Sequence, residues 1–225
     1  MSAVEKGEDG HARLMDRVYR TQRHFYDITR RYYLLGRDRL IDGLQAGQGV
    51  NVLEVGCGTG RNLVLAARRY PEAQFFGMDI SREMLATAHR AAKRAKVDVT
   101  LGFGDATRFN PYATFGVSRF ERIYLSYTLS MIPDWQTTLA QAVCNLAPGG
   151  SLHIVDFGQQ ERLPRWFRAL LRGWLAKFHV SPRGDLDRVL QVIAKKLGAE
   201  LSFHPLYRGY AWYAVLTLPA TQKNA

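Results

Sequence analysis

The sequence predicts an α/β fold: a mostly parallel sheet of seven strands, one of them antiparallel, with helices on both faces. Short apolar runs alternate with amphipathic helical patterns along most of the chain, which is typical of βαβ units. In addition, the first apolar run leads into Gly56, Gly58 and Gly60, and a helical pattern follows at once. A strand, a glycine-rich turn and a helix in this order form a cradle for a nucleotide, since the helix start offers unpaired N–H groups.

The composition indicates one domain with an acidic partner. The 225 residues are enough for a single substantial core, and the net charge of +11 favours nucleic acid, an anionic membrane surface or an anionic substrate. Cys57 and Cys144 lie far apart in the sequence, so we expect neither a disulfide framework nor a zinc site. The chain shows no run of transmembrane length and no signal-peptide core, and we therefore expect a cytoplasmic protein.

Residues 14–35 form a helical pattern that is rich in arginine and tyrosine. Three tyrosines recur every seven residues and would share one helix face: Tyr19, Tyr26 and Tyr33. Such a row either packs on the main domain or forms a lid over a substrate, and both interpretations stay open. We predict an N-terminal helical lid or substrate segment over residues 1–44 and a ligand-binding domain over residues 45–225.

The first strand, residues 50–55, contains an acid two positions before the glycines. The pattern from Glu54 to Gly60, E-x-G-x-G-x-G, differs from the G-x-G-x-x-G of dinucleotide-binding enzymes and has no P-loop lysine. A carboxylate beside the loop disfavours a pyrophosphate and favours a cationic ligand. The pattern resembles the cofactor loop of class I S-adenosylmethionine-dependent methyltransferases. This resemblance implies a Rossmann-like class I methyltransferase fold, with Glu54 near the methionine part of the cofactor.

Two further motifs agree with this resemblance. The second strand, residues 74–79, ends at Asp79, about 20 residues after the glycine loop, which is the usual distance for a carboxylate that binds ribose hydroxyls. The third strand, residues 97–101, precedes Gly104-Asp105-Ala106, which resembles the adenine site of the family.

The fourth strand, residues 120–125, should place the following loop beside the transferred methyl group, because ligands of open α/β sheets bind beyond the carboxyl ends of strands. No metal is expected. We expect S-adenosylmethionine, or its product S-adenosylhomocysteine, to bind a set of residues around these strand ends: Arg37, Glu54, Gly56, Cys57, Gly58, Gly60, Asp79, Ile80, Met84, Gly104, Asp105, Ala106 and Ser126.

The remaining chain completes the sheet and adds an amphipathic insertion at residues 159–184. The predicted elements are a turn at 146–150, a fifth strand at 151–157, a helix at 187–197 and closing strands at 200–205 and 211–218. One face of the insertion is apolar: Leu163, Trp166, Phe167, Leu170, Leu171, Trp174 and Phe178. The other face is basic: Arg162, Arg165, Arg168 and Arg172.

This composition is typical of a helix in a membrane interface, although a lid over a substrate pocket would show the same pattern. We expect residues 161–178 to bind an anionic membrane surface, with the protein peripherally attached to the inner face of the membrane.

Residues 25–38 support a narrower resemblance. Their sequence, FYDITRRYYLLGRD, is similar to the N-terminal segment of bacterial betaine-lipid N-methyltransferases. The resemblance implies a lipid amine substrate, diacylglyceryl-homoserine, whose amine is methylated three times to give the trimethyl betaine lipid.

Aromatic side chains suit such a substrate. An amine that gains methyl groups loses N–H donors, whereas cation–π attraction to a ring persists for a quaternary ammonium. A phenol hydroxyl could also orient the lone pair of the amine. The candidate catalytic residues are Tyr19, Tyr26, Tyr33 and Tyr127. The homoserine carboxylate would fit an arginine fork, and one of the same arginines could instead hold the carboxylate of the cofactor: Arg30, Arg31 or Arg37.

Two other functions are alternatives. The acceptor could be a small soluble amine, phosphatidylethanolamine or a quinone precursor, in which case the insertion is only a lid. The positive charge could instead serve a nucleic-acid-binding or RNA-modifying protein. The loop after the fourth strand lacks the Asn-Pro-Pro-Tyr type motif of DNA amino-methyltransferases, which counts against base methylation. We therefore expect no nucleic acid partner.

Overall fold

The computed structural model of the protein describes residues 34–178 and 180–220. Seven strands form one sheet: β1 Asn51–Val55, β2 Gln74–Asp79, β3 Thr100–Phe103, β4 Phe120–Ser126, β5 Leu146–Phe157, β6 Glu200–Leu206 and β7 Ala211–Thr217. Their order is β3-β2-β1-β4-β5-β7-β6. Neighbouring strands are parallel except at β7, which runs antiparallel to both β5 and β6. The predicted sheet with one antiparallel strand is confirmed.

The helices alternate with the strands along the chain. They are α1 Arg37–Gly43, α2 Arg61–Arg69, α3 Arg82–Ala95, α4 Pro111–Phe115, α5 Trp135–Cys144, α6 Arg165–Lys177 and α7 Leu186–Leu197, and a 3₁₀ turn, Tyr207–Gly209, joins β6 to β7. Side-chain oxygens of Ser81, Asn110 and Asp134 accept hydrogen bonds from backbone N–H groups in the first turns of α3, α4 and α5. These caps satisfy donors that a helix start leaves unpaired.

The sheet divides the core into two apolar clusters. One contains Leu53 and Ile123 of the strands together with buried residues of α5 and α7. The other contains Val52 and Tyr124 together with buried residues of α1, α2 and α6. Because side chains alternate along a strand, consecutive residues such as Val52 and Leu53 pack on opposite faces. The central strands are buried on both sides, and the predicted helices on both faces are confirmed.

The structure differs from the predicted elements most clearly at β3, β5 and α4. β3 begins at Thr100 rather than Val97, because the N–H of Val97 bonds to the carbonyl of Ala92 and closes the end of α3. β5 begins at Leu146, where the sequence predicts a turn, because Leu146 pairs with Phe120 of β4 before the register shifts. The sequence does not predict α4, whose five residues are too few to show a helical period.

Helix α6 has one broad apolar side, and only part of it packs on the sheet. Leu171 and Leu175 are buried, but Trp166 and Leu170 are 71% and 66% exposed. Arg168, predicted on the basic face, is half-buried. The predicted apolar residues do share one side of α6, but this side is wider than the surface that the sheet covers, so its edge at Trp166 and Leu170 stays exposed.

Several predicted site residues lie outside the described residues: Tyr19, Tyr26, Tyr33, Arg30 and Arg31. Their roles stay predictions, and so does the boundary after residue 44. Of the predicted N-terminal segment, the structure describes residues 34–44, which contain α1. Across the described ranges, no helix is both long and apolar enough to cross a bilayer.

Candidate functional site

A cavity of about 310 Å³ opens where the strand order of the sheet reverses. From this point the sheet runs through β1 and β2 to β3 in one direction and through β4 and β5 in the other. Residues that directly follow β1, β2, β3 and β4 line the cavity, so it lies at the carboxyl ends of these strands. Such a switch point is the usual ligand site of open α/β sheets. The lining contains every predicted cofactor residue except Gly60 and Met84.

Backbone hydrogen bonds fix the glycine loop to β2. The N–H groups of Gly56 and Cys57 both donate to the carbonyl of Met78 at 2.9 Å. The N–H of Gly58 donates to Oδ2 of Asp79 at 2.8 Å. Gly56 and Gly58 have φ of 71° and 53°, a backbone conformation that favours glycine. A Cβ on Gly58 would meet nothing within 4 Å, so a ligand can approach the backbone of the loop.

Asp79 ends β2 and lines the cavity. Its Oδ2 accepts the N–H of Gly58, and its Oδ1 accepts the N–H of Ser81 at 2.9 Å. The side chain therefore sets the position of the glycine loop relative to the start of α3. A carboxylate offers about four lone-pair sites, enough for these donors and for ribose hydroxyls, which is the role that the resemblance implies.

Glu54 lies at the buried side of the cavity and is 1% exposed. Nδ2 of Asn62 donates to its Oε1 at 3.2 Å, and the hydroxyl of Tyr124 donates to its Oε2 at 3.1 Å. The pKa of Glu54 is raised from 4.5 to about 8, mainly because burial penalises the charged carboxylate and in smaller part because Asp79 is near. A cationic ligand beside Glu54 would favour the ionised form, so this group suits the charged methionine part of S-adenosylmethionine.

Asp105 and Ala106 line the cavity beyond β3. Oδ1 of Asp105 accepts hydrogen bonds from the backbone N–H of Thr107 at 2.9 Å and from its hydroxyl at 2.8 Å. These local bonds hold the carboxylate in a turn, and Nε of Arg108 lies 3.8 Å from Oδ2. The fixed carboxylate suits the role that the resemblance implies, in which it accepts the exocyclic amine of an adenine.

Two buried polar atoms of the cavity have no hydrogen-bond partner within the described part of the chain: Oδ1 of Asn62 and Oγ of Ser126. An unpaired buried polar atom costs about 1–3 kcal/mol, and a ligand that bonds to these atoms would remove that cost. Together with the carboxyl groups of Glu54, Asp79 and Asp105, they fit a polar cofactor that offers several donors, such as S-adenosylmethionine.

Tyr127 directly follows β4 and lines the cavity. Its hydroxyl donates to the carbonyl of Leu35 at 2.6 Å, and its ring centroid lies 4.6 Å from that of Phe157. Burial raises the pKa of the phenol well above its ordinary value. The structure places Tyr127 where the sequence predicts it, but the hydroxyl proton is engaged with the backbone. The ring is therefore the part of Tyr127 that can attract a cationic amine.

Arg37, the first residue of α1, is buried and lines the cavity. Its Nε donates to the carbonyl of Leu34 at 3.0 Å. Its positive charge makes a small contribution that favours the ionised form of Glu54. A guanidinium here can bind a carboxylate, and both the cofactor and a homoserine substrate have one.

The structure assigns Gly60 and Met84 to packing rather than to the cavity. Gly60 precedes α2 with φ of 75°, and a Cβ there would lie 2.8 Å from Cβ of Ala88 on α3. This glycine lets the two helices approach closely. Met84 is buried in α3, and its N–H donates to Oγ of Ser81. Both residues are buried, and neither lines the cavity.

The lining also includes residues without a predicted role: Leu34, Thr59, Arg61, Asn62, Met78, Thr107, Thr128, Met131, Ile132, Pro133 and Asp134. Asn62 lies in the first turn of α2, from which its side chain reaches back to Glu54. Met131 and Ile132 belong to the loop after β4, which the sequence predicts beside the transferred methyl group, although no individual role is predicted for them.

Two buried titratable residues of β5, His153 and Asp156, lie outside the cavity. The ring of His153 pairs with the hydroxyls of Ser151 at 2.8 Å and Tyr213 at 3.2 Å. Burial lowers the pKa of His153 from 6.5 to about 4, as expected for a neutral core residue. Oδ2 of Asp156 accepts the N–H of Ser130 at 3.1 Å and so holds the loop after β4 against β5. Burial raises the pKa of Asp156.

The two cysteines are free thiols. Cys57 belongs to the glycine loop, and burial raises the pKa of its thiol well above the ordinary value. A neutral thiol at this point avoids a further negative charge beside Glu54. Within residues 34–178 and 180–220, no group of three or more His, Cys, Asp or Glu side chains is arranged to hold a metal ion.

Residues 52–150 match the family model described as a methyltransferase domain. The demethylmenaquinone methyltransferase of Listeria welshimeri is 30% identical over 125 residues, which cover 55% of this chain and 51% of that protein. The trans-aconitate 2-methyltransferase of Variovorax paradoxus is 29% identical over 183 residues, which cover 79% and 65%. This chain thus spans about half the length of the first of these relatives. The names of the relatives agree on methyl transfer and differ in the acceptor.

Solved structures with the same fold include two methyltransferases bound to the cofactor or its product. The plantazolicin methyltransferase BpumL, in complex with S-adenosylhomocysteine, matches 97% of this chain and 100% of its own chain with a TM-score of 0.67 and 14% identity. The phosphoethanolamine N-methyltransferase 2 of Haemonchus contortus, in complex with S-adenosylmethionine, matches 82% and 52% with a TM-score of 0.63 and 18% identity. At these identities the likeness shows the fold alone, and it confirms the predicted Rossmann-like architecture.

Proposed function

Since residues 52–150 match a methyltransferase domain, we propose that the protein uses S-adenosylmethionine to transfer methyl groups to the amine of diacylglyceryl-homoserine. Three successive transfers give the trimethyl betaine lipid. The observation that carries the proposal is that Tyr127 and Arg37 line the same cavity as the acidic glycine loop. An aromatic ring and a guanidinium in one cavity suit a head group that has both an amine and a carboxylate. The resemblance of residues 25–38 to betaine-lipid N-methyltransferases supports the same substrate.

The acids around the glycine loop would hold the cofactor in the orientation that the family resemblance implies. Glu54 and Asn62 would contact its methionine part. Asp79 would accept its ribose hydroxyls, and Asp105 with the N–H of Ala106 would contact its adenine. When bound, the cofactor supplies an electrophilic methyl group on a sulfonium.

Methyl transfer to an amine is an in-line displacement that benefits from fixed orientation. The nitrogen lone pair forms the new N–C bond, while the S–C bond breaks and its electron pair stays on sulfur. After the first and second transfers the ammonium must lose a proton before it reacts again, whereas the third transfer leaves a quaternary ammonium with no proton to lose. His153 is buried in β5 outside the cavity and does not reach this proton.

An aromatic cluster beside the cavity suits the later intermediates. Ring centroids of Tyr127 and Phe157 are 4.6 Å apart, and those of Phe157 and Tyr210 are 5.9 Å apart. Each transfer removes an N–H donor from the substrate, so hydrogen bonds to the amine weaken as the product forms. Cation–π attraction persists and contributes about 2 kcal/mol when desolvated. Tyr19, Tyr26 and Tyr33 remain predicted members of this aromatic site.

A second candidate function is methylation of a quinone precursor. It is favoured by the 30% identity to demethylmenaquinone methyltransferase. The apolar part of the cavity lining would also suit such an acceptor: Leu34, Met131, Ile132 and Pro133. A neutral acceptor of this kind gains nothing from cation–π attraction and has no carboxylate for Arg37. The two candidate functions therefore predict different roles for Arg37 and Tyr127: only the homoserine lipid would use both side chains to bind its head group.

A labelled-methyl assay separates these candidates. The purified chain is incubated with methyl-labelled S-adenosylmethionine and, in parallel, with a lipid extract that contains diacylglyceryl-homoserine, a demethylmenaquinone fraction, a mixture of soluble amines, and RNA. We expect the label to appear in lipids that co-migrate with the mono-, di- and trimethyl homoserine lipids on thin-layer plates. Label confined to the quinone fraction, to the soluble amines or to RNA would overturn the proposal.

Two variants control this assay. Glu54→Gln should lower labelling in whichever fraction is active, because the methionine part of the cofactor would lose its anionic partner. Val192→Ala changes a side chain of α7 that is 64% exposed and should leave labelling unchanged.

A further inference from the structure

The outer side of α6 exposes two large apolar side chains one turn apart. Trp166 is 71% exposed and Leu170 is 66% exposed. Because residues four apart lie on the same helix face, the two form one patch. Leu171 and Leu175 anchor the helix in the core. The fold of the described residues thus fixes α6 firmly while leaving this patch outside the core.

The surroundings of the patch are basic. Residues 162–177 contain five cations and no acid: Arg162, Arg165, Arg168, Arg172 and Lys177. All of these except the half-buried Arg168 are exposed. A helix that exposes a tryptophan and a leucine among cations has the composition of a helix lying in the interface of an anionic membrane.

Both the middle and the end of α6 are tied to the region of the cavity. Near its middle, Nη2 of Arg172 donates to the carbonyl of Gln159 at 3.2 Å, just beyond the end of β5. After α6, the N–H of Ser181 donates to the carbonyl of Ser130 at 2.8 Å. Ser130 immediately precedes Met131, which lines the cavity. The outer side of α6 therefore lies near the edge of the sheet at which the cavity opens, and a surface that contacts α6 would lie near the same edge.

We propose that α6 docks on an anionic lipid bilayer through Trp166 and Leu170, with the neighbouring cations in contact with anionic head groups. This inference rests on the proposed function, since a lipid acceptor must be reached at a bilayer surface. A bilayer fits the patch better than nucleic acid does. Phosphates would satisfy the cations but would leave Leu170 without the apolar environment that an acyl boundary provides.

Vesicle flotation of the full chain tests the docking. Vesicles of phosphatidylglycerol with phosphatidylcholine present an anionic surface, and vesicles of phosphatidylcholine alone present a neutral one. We expect the protein to float with the anionic vesicles and to bind less as salt is raised. Trp166→Ala with Leu170→Ala should weaken partitioning about tenfold or more. Val192→Ala, the matched exposed apolar control on α7, should bind as wild type does. Equal partitioning of the double variant and wild type would overturn the proposal.

Charge variants distinguish a local docking surface from the net charge. Arg162→Gln with Arg165→Gln should weaken binding to the anionic vesicles by about fivefold for each cation. Lys93→Gln with Arg94→Gln removes the same charge from exposed positions of α3 and should have little effect. If both pairs weaken binding equally, binding follows net charge and the docking surface is refuted.

Tryptophan fluorescence reports the contact directly. Trp166 is exposed, Trp174 is half-buried, and Trp135 and Trp212 are buried. On addition of anionic vesicles, emission should shift to the blue, and brominated acyl chains should quench it. In Trp166→Phe most of this quenching should disappear. Unchanged quenching in that variant would show that another part of the chain contacts the bilayer.

Two readouts keep failure of the docking apart from failure of the proposed function. The double variant should keep wild-type affinity for S-adenosylmethionine, which verifies that it folds. It should methylate homoserine lipid in vesicles slowly and the same lipid in detergent micelles at the wild-type rate. Equal loss in vesicles and micelles would overturn the docking. Flotation without methylation of any lipid would leave the docking intact and refute the proposed function.

Discussion

Glu54 sets the electrostatics of the cavity. With a pKa of about 8, its carboxyl group is mostly protonated at neutral pH in the ligand-free protein. Asn62 and Tyr124 donate hydrogen bonds to it, and the charge of Arg37 favours ionisation, but burial outweighs these contributions. A cation that enters the cavity therefore meets a group that becomes negative in response. Ligand binding is thereby coupled to proton release.

This coupling predicts how affinity depends on pH. The ratio of wild-type to Glu54→Gln affinity for S-adenosylmethionine should rise as pH increases, by at most about tenfold per pH unit, and level off above a pH of about 8. Ionisation of the ligand itself is common to both proteins and cancels in the ratio. Titration calorimetry of both proteins between about pH 6 and pH 9 measures this affinity ratio. A ratio that does not change with pH would show that Glu54 does not contact the cationic part of the ligand.

Tyr127 offers a second prediction, because its ring and its hydroxyl have separate partners. Tyr127→Phe keeps the ring and loses the bond to Leu35, worth about 1 kcal/mol. We expect KM to rise about fivefold, through a less fixed segment around Arg37, with wild-type proportions of mono-, di- and trimethyl product. Tyr127→Ala also loses the cation–π contact and should lower kcat/KM for all three transfers by about thirtyfold more than Tyr127→Phe does. Selective loss of the first transfer in Tyr127→Phe would show instead that the hydroxyl acts on the amine.

At the scale of elements, the packing of α2 against α3 depends on Gly60. Its φ of 75° opposes a side chain, and so does the distance of only 2.8 Å that would separate an added Cβ from Cβ of Ala88. Gly60→Ala should lower the free energy of unfolding by roughly 2–5 kcal/mol, from backbone strain and overpacking together. Gly49→Ala is the matched control, since Gly49 has φ of 72° and nothing within 4 Å of its Cβ position. Chemical denaturation measures both, and equal losses would show that helix packing contributes nothing.

The elements were predictable where the signal is local. The apolar run, the glycines and the following helix place β1 and α2 without reference to the rest of the chain. The face of α6 was not predictable, because periodicity gives the apolar positions but not which of them meet the sheet. Trp166 and Leu171 differ in burial only because the sheet lies on one side. The role of Asn62 was not predictable for the same reason. Its side chain meets Glu54 only because the glycine turn between the two residues folds back.

At the scale of the whole molecule, the order of the strands creates the cavity. Motifs spaced along the sequence converge because each follows a parallel strand, which is why most of the predicted cofactor residues line one cavity. Contacts between segments that lie far apart in the sequence could not be predicted in this way. The bond from Tyr127 to Leu35 and that from Ser130 to Asp156 join parts of the chain that only the folded sheet brings together.

The buried titratable groups predict how stability depends on pH. Glu54 has a folded-state pKa above its unfolded value, so its contribution is lost as pH rises from about 4.5 to about 8. His153 has a folded-state pKa below its unfolded value, so its contribution is lost as pH falls from about 6.5 to about 4. Of these two groups only Glu54 acts above pH 6.5. The free energy of unfolding of the ligand-free protein should therefore fall between about pH 6.5 and pH 8, and urea denaturation should show a smaller decline in Glu54→Gln.

The central claim, successive methylation of a homoserine lipid amine, is tested most directly by mass analysis of one defined reaction. Purified diacylglyceryl-homoserine and, in a separate tube, phosphatidylethanolamine at the same concentration are incubated with the protein and S-adenosylmethionine. We predict that mono-, di- and trimethyl homoserine lipids appear in that order while phosphatidylethanolamine stays unmodified. Unmodified homoserine lipid, in a preparation that binds S-adenosylmethionine by calorimetry, would contradict the claim.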